Sequence, residues 1–240
     1  MPQLVDGLRA VAFDLDGTLI DSVPDLAQAV QTALQSIGAA PLATTQIAAF
    51  VGDGVETLVA RALVAAQGRQ SDVATLHQAM DAFTAAYSAH LFELSHVYPG
   101  VELVLAALRE RGTALSVVTN KPSHFAVPLL RAAGLSEFFS TIACADRRED
   151  RKPLPKMLFE VCHTLQIKPA QLLLVGDSRA DVDAARAAGC PVVTVSYGYG
   201  HGLGHNQADW SIDSIEALLT LPSHTVATIG NDTCSPIAPR

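Results

Sequence analysis

Between Val101 and Ser196 short apolar runs alternate with amphipathic stretches, and that alternation leaves few folds open. The periodicities predict helix 101–111, strand 114–119, helix 124–133, strand 140–145, helix 155–165, strand 171–176, helix 180–188 and strand 191–196. Strands and helices that alternate in this way build an α/β fold with a parallel, doubly wound sheet. An earlier run, Val11-Ala12-Phe13, reads as one more buried strand. The segment 22–97 breaks the pattern, because everything in it reads as helix. One helix runs from Pro24 to Ile37 with Leu26, Val30, Ala33, Leu34 and Ile37 on one face and Gly38 as its stop. A second covers Val55 to Gln67 and closes at Gly68. A third begins after Ser71 and carries Leu76, Met80, Phe83, Tyr87, Leu91 and Leu94 as a packing stripe. The expected organisation is a core of residues 1–21 and 98–222, an inserted helical cap at 22–97, and an aperiodic tail at 223–240 expected to be disordered.

The insertion follows directly on Asp14-Leu15-Asp16-Gly17-Thr18-Leu19-Ile20-Asp21-Ser22, where the first strand delivers two carboxylates into a glycine-permitted turn. Open α/β sheets place ligands beyond the carboxyl ends of their strands, and aspartates two residues apart on extended chain point to the same side. Paired carboxylates repel or share a cation. No Lys or Arg adjoins them in the sequence, so a hard divalent ion such as Mg²⁺ is the natural neutraliser. A solvated Asp-Gly turn is the plainer alternative.

Three further segments offer partners for such a site. Leu115-Ser116-Val117-Val118-Thr119-Asn120-Lys121 is an apolar strand ending in a hydroxyl and an amide, groups able to bind phosphate oxygens. Arg151-Lys152-Pro153-Leu154-Pro155 sets a lysine before a helix start. Leu172-Leu173-Leu174-Val175-Gly176-Asp177-Ser178-Arg179-Ala180-Asp181 is a strand ending in acid, with Asp181 one helical turn after Asp177.

In order and in residue type, these four segments resemble the four motifs of the haloacid dehalogenase superfamily of Mg²⁺-dependent phosphatases, over nearly the whole chain. Phe50-Val51-Gly52-Asp53-Gly54, Leu58-Val59-Ala60-Arg61-Ala62-Leu63 and Tyr197-Gly198-Tyr199-Gly200 are similar to its phosphoglycolate phosphatase branch. The resemblance implies a haloacid dehalogenase-like core with a helical cap that closes over small phosphate esters. It makes Asp14 the nucleophile that forms an aspartyl-phosphate, and Asp16 the general acid and base. The implied Mg²⁺ ligands are the carboxylates of Asp14 and Asp177 and the main-chain carbonyl of Asp16, with Asp181 in support. Thr119 and Asn120 are expected to hold phosphate oxygens, Lys152 to neutralise nucleophile and phosphate, and Thr18 to brace the turn. The cap residues Gly52, Gly54 and Arg61 are candidates for substrate selection: the glycines let backbone amides approach an anion, and Arg61 either holds a substrate carboxylate or solvates its helix. 2-Phosphoglycolate is the preferred substrate. N-acetylmuramate 6-phosphate, another sugar phosphate, a nucleotide, or a sugar phosphomutase reaction are the alternatives. A dehalogenase lacks the second aspartate, and phosphonoacetaldehyde hydrolysis needs a cap lysine, of which residues 22–97 contain none.

Composition agrees. A net charge of −8 argues against a nucleic-acid partner, and no apolar stretch is long enough to span a membrane. The first residues lack the blocks of a signal peptide, so a cytoplasmic location is expected. Lysines occur only at 121, 152, 156 and 168, and two of them, Lys121 and Lys152, fall within the motif segments. Cys144, Cys162, Cys190 and Cys234 have neither metal nor redox spacing and read as reduced, buried thiols. His201 and His205 sit in a glycine-rich loop with no carboxylate nearby, which favours a surface loop over a metal site. Nothing in the sequence bears on oligomeric state.

Overall fold

The computed structural model describes residues 7–200 and 208–221; His201, His205, Cys234 and the tail 223–240 lie outside the described residues. The core is a six-stranded parallel sheet of β1 (Ala10–Phe13), β4 (Ala114–Thr119), β5 (Thr141–Cys144), β6 (Leu172–Gly176), β7 (Val192–Val195) and β8 (Trp210–Ile212). They lie in the order β5-β4-β1-β6-β7-β8. β1 is therefore central, flanked by β4 and β6 in parallel register. That order brings the ends of the first, second and fourth motif strands side by side.

Alternation along the strands sorts the core into two layers. Val11, Phe13, Leu115, Val117, Leu173 and Val175 pack with Val104, Leu105 and Leu108 of α5 (Val101–Glu110) and Leu129 and Leu130 of α6 (Ser123–Ala132). Ala10, Ala12, Val118, Leu172 and Leu174 face the other way, onto Met157, Leu158 and Val161 of α7 (Lys156–Leu165) and Val182 and Ala185 of α8 (Arg179–Ala188). Each face buries its apolar rows under helices, the arrangement a doubly wound sheet requires. Cys162 and Cys190 are buried free thiols, and Cys144 is free and half-buried. Among the described residues no helix is long and apolar enough to cross a membrane.

The insert consists of α1 (Val23–Ser36), α2 (Thr44–Ala48), α3 (Val55–Gln67) and α4 (Val73–Ala89), with its own apolar cluster. Two details differ from the periodicity. The short α2 buries a single residue, Ile47, and one turn leaves no period to read. The third helix stops at Ala89 rather than continuing to Leu94, which is 57% exposed. The physical reason lies on α1: buried Asp25 accepts hydrogen bonds from the backbone N–H groups of Glu93, Leu94 and Ser95, which folds this stretch into a turn. The two connections to the core are paired, because β2 (Ile20–Asp21) and β3 (His96–Val97) form an antiparallel ribbon. One core residue crosses over: Phe125 of α6 packs edge-on against Phe83 and Tyr87 of α4, with ring centroids 6.2 and 5.1 Å away, inside the insert's cluster.

Candidate active site

The site begins where β1 runs out. Asp14 N–H donates to Val175 O at 2.8 Å, so the nucleophile candidate is still gripped by the sheet. The chain then turns back, with the N–H groups of Leu19 and Ile20 donating to Leu15 O at 3.0 and 3.1 Å. Gly17 is in the left-handed region at φ 85°, and a Cβ there would collide with the Asp177 carboxylate. Glycine at this position thus serves close approach as well as backbone conformation. At the end of β6, Ser178 caps α8: Asp181 Oδ2 accepts from Ser178 N at 3.0 Å and from Ser178 Oγ at 2.6 Å. This reciprocal cap fixes Asp181 and turns its other oxygen towards Lys152.

Asp14, Asp177 and Asp181 are all buried and bring carboxylate oxygens within 4.8 Å of one another. Lys152 Nζ lies 2.7 Å from Asp14 Oδ1 and 2.6 Å from Asp181 Oδ1, and donates to Val118 O at 3.0 Å. Burial, reinforced by Asp181 and Asp16 and opposed by Lys152, pushes Asp14 up to about 7. Asp177 rises to about 8 through burial and its two acidic neighbours, against the N–H groups of Tyr199 and Gly200 that donate to its Oδ2. Burial alone would lower Lys152; Asp14 and Asp181 outweigh it and hold the ammonium charged. With Asp16 and Lys121 included, four buried or half-buried carboxylates face two ammonium groups. The oxygen-only donor set and the uncompensated negative charge fit a metal cation beside Asp14 and Asp177.

Asp16 has a separate support. Lys121 Nζ donates to its Oδ1 at 2.9 Å and its Oδ2 at 3.1 Å, while Ser22 Oγ donates to Oδ1 at 2.5 Å. Ser22 opens the insert, and Tyr199 pins that position. Its hydroxyl donates to Asp21 Oδ1 at 2.6 Å and accepts from Ser22 N at 2.8 Å and Val23 N at 3.2 Å. Since Tyr199 N–H donates to Asp177, one residue joins the Asp177 carboxylate to the start of the insert. Tyr197 adds a second tie, donating from its hydroxyl to Thr18 O at 2.9 Å and packing against Tyr98 with ring centroids 4.6 Å apart and planes inclined at 51°. The sequence marks neither tyrosine for a role of its own; the Tyr-Gly-Tyr-Gly run is the visible signal.

The remaining candidates separate. Thr119, Asn120, Gly52 and Gly54 line one narrow cleft with Asp14 and Asp16, and the space left inside is about 20 Å³, room for roughly one water. Asn120 was expected to bind phosphate, yet its side chain is occupied. Oδ1 accepts from Lys152 N at 2.7 Å, and Nδ2 donates to Gly52 O at 2.9 Å and Lys152 O at 3.1 Å. It ties the insert loop to the segment bearing the essential lysine candidate. The Thr18 hydroxyl is buried with no hydrogen-bond partner, so this residue braces the turn through its main chain, its N–H donating to Leu15 O at 3.4 Å and its carbonyl accepting from Tyr197. Arg61 does not reach the cleft. It pairs with Asp53 at 2.5 Å, about 40% exposed, on a separate apolar groove beside Phe50 and Leu76. On α3 its position follows Thr57 by one turn, and both face that groove. Arg151 instead lies behind Gly54, with its guanidinium 3.7 Å from Glu56.

The geometry agrees with comparisons to known proteins. The family model described as haloacid dehalogenase-like hydrolase matches residues 11–195. The chain is 41% identical over 216 residues to a phosphoglycolate phosphatase of Chromobacterium violaceum, covering 89% of this chain and 96% of that protein. It is 40% identical over 220 residues to one of Neisseria meningitidis, covering 90% and 94%. Among solved structures, a predicted phosphoglycolate phosphatase from Haemophilus somnus superposes with a TM-score of 0.85 at 32% identity, over 89% of this chain and 97% of that one. A strand-end aspartate turn, a buried lysine between two carboxylates, and a helical insert between β1 and α5 all sit within the matched span, and the chain belongs to the haloacid dehalogenase-like hydrolases.

Proposed function

We propose that this chain is a Mg²⁺-dependent phosphomonoester hydrolase that converts 2-phosphoglycolate to glycolate and phosphate through an aspartyl-phosphate on Asp14. The observation that carries the reading is the convergence of Asp14, Asp177, Asp181 and Lys152 at adjacent strand ends, in a chain about 40% identical to proteins of that name.

An all-oxygen site suits Mg²⁺, which the carboxylates of Asp14 and Asp177 and the main-chain carbonyl of Asp16 would hold. When bound, the ion neutralises negative charge around the phosphoryl group and polarises it. The chain's own groups do the rest. A carboxylate oxygen of Asp14 attacks phosphorus, while Asp16 passes a proton to the leaving alkoxide oxygen. Asp16 then takes a proton from the water that attacks the phospho-aspartate, which frees phosphate and restores Asp14. Lys152, fixed by Asp181 and by Val118 O, offsets charge on the nucleophile and the transferring group. Thr119 hydroxyl faces the same cleft as a phosphate donor. Residues 22–97 act as the cap over a core of 1–21 and 98–222, and the β2–β3 ribbon supports a hinge that moves both connections together.

The test is phosphate release from a panel of 2-phosphoglycolate, N-acetylmuramate 6-phosphate, a hexose phosphate and a nucleotide, with Mg²⁺ or with chelator. The expected result is the highest kcat/KM on 2-phosphoglycolate and none with chelator. A higher value on another ester would replace the substrate. Isomerisation of the hexose phosphate without phosphate release would make the protein a mutase.

A further inference from the structure

The proposed substrate carries two anions, and the phosphoryl site accounts for only one. Its carboxylate sits on the carbon bonded to the leaving oxygen, so a cation must stand close to Asp16, the group that protonates that oxygen. The insert offers none at the cleft: its lining residues are Leu26, Val51, Gly52, Gly54, Val55 and Leu58. Arg61 is on another groove, bound to Asp53. Lys152 is shared between Asp14 and Asp181. Lys121, by contrast, lines the cleft.

Resting on the proposed substrate, we infer that Lys121 is the residue that binds the carboxylate of the phosphate ester and so selects acidic substrates. Its Nζ lies 2.9 and 3.1 Å from the two oxygens of Asp16, within two hydrogen-bond lengths of any leaving oxygen that Asp16 can reach. A carboxylate one carbon further can rotate back inside that radius. The ammonium is also held in place beforehand. Its side chain is almost wholly buried, and the Tyr87 ring of the insert lies 4.8 Å from Nζ. A cation already desolvated and aimed at the leaving-group side binds an anion without further ordering.

The geometry adds a coupling between recognition and chemistry. In this state Asp16 accepts three hydrogen bonds, two from Lys121 and one from Ser22. Both its oxygens are therefore engaged, whereas proton transfer needs one of them turned to the leaving oxygen. An arriving carboxylate takes over Lys121, leaves Asp16 to Ser22, and frees Oδ2. Esters without a carboxylate leave Lys121 on Asp16. Discrimination then appears in kcat as well as in KM, because the contact is exchanged on the way to the transition state.

The experiment compares 2-phosphoglycolate with 2-hydroxyethyl phosphate, in which a neutral hydroxymethyl group replaces the carboxylate, in the Mg²⁺-loaded wild type and in Lys121→Met and Lys121→Arg. Wild type should prefer the acid. Lys121→Met should reduce that preference by about 10²-fold, the worth of a buried charge-assisted contact, and Lys121→Arg should restore part of it. Equal losses on both esters would overturn the inference and leave Lys121 as a positioning residue for Asp16. Should Lys121→Met fail to fold, the ¹⁵N resonance of the Lys121 ammonium in wild type serves instead. It should shift on adding glycolate and not on adding ethylene glycol, and no shift with either overturns the inference. A wild type that cleaves other phosphate esters but not 2-phosphoglycolate would instead remove the substrate reading itself.

Discussion

The cleft has two unlike walls. The core wall presents Asp14, Asp16, Thr119, Asn120 and Lys121; the insert wall presents Leu26, Val51, Val55 and Leu58 with the backbone of Gly52 and Gly54. On the core wall each charged group is held by a partner from a different strand or loop, as Lys152 is by Asp181 and Asp16 by Lys121. The insert wall has no titratable side chain and contributes shape and main-chain groups. Charge that must stay within tenths of an ångström is built on the sheet, where neighbouring strands fix it. The insert wall's apolar side chains instead keep water out of the cleft and leave the charge to the core. Gly54 shows how tight the contact between insert and core is: at φ 89°, a Cβ would come 3.1 Å from Arg151 Cζ.

If the chemistry belongs to the core wall, Asp14→Asn should have the largest effect, a loss on the order of 10⁴-fold or more in phosphate release. Activity retained within tenfold would break the division between the walls. Next comes Lys152→Met, which leaves Asp14 and Asp181 without their shared cation. At pH 8 it should cost about 3–5 kcal/mol of stability in urea unfolding, the usual penalty for orphaning a buried ion pair, and a cost under about 1 kcal/mol would mean that the pair is dispensable.

The core wall should also show itself through pH. Asp14 and Asp177 stand at about 7 and 8 rather than near 3.8. Both are raised, so their contribution to the metal-free fold is fully present below about pH 4 and is lost as pH rises from there through the folded values of about 7 and 8. Mg²⁺ displaces the same protons, so its binding strengthens across that window. The rise in Tm on adding Mg²⁺ should be larger at pH 9 than at pH 6; equal shifts would remove the crowded-carboxylate account.

Two smaller effects probe the seam and the outer face of the insert. Tyr199→Phe keeps the ring but strips Ser22 N–H of its partner and takes one of two hydrogen bonds from Val23 N–H and from Asp21 Oδ1, which keep each other. We expect about a tenfold fall in kcat/KM and about 1–2 kcal/mol lost in stability, and an unchanged enzyme would mean that Tyr199 does not pin the hinge. Arg61→Ala should be the mildest, within about twofold on phosphoglycolate and under about 1 kcal/mol, because an exposed pair with Asp53 is worth little. A tenfold selective loss would return Arg61 to the insert wall as a substrate ligand.

Much of this molecule was legible in the chain itself. Apolar runs ending in Asp14, Thr119 and Asp177 announce strand ends, since buried strands need unbroken apolar residues and polar groups gather only where the strand meets solvent or ligand. The helical insert was legible by period. What could not be read were elements too short to carry a period: α2, the β2–β3 ribbon, and β8 with only Trp210–Ile212. Residue type marked Asn120 as a phosphate ligand and left Arg61 open between a carboxylate ligand and a solvated helix residue, because type says nothing about which partner is nearest. Only the fold assigns Asn120 to Gly52 and Lys152, Arg61 to Asp53, and Lys121 to Asp16. Local patterning determines strands and turns because its forces act within a few residues. Partnerships between residues such as Asp16 and Lys121, 105 positions apart, exist only once the strand order has placed β4 beside β1.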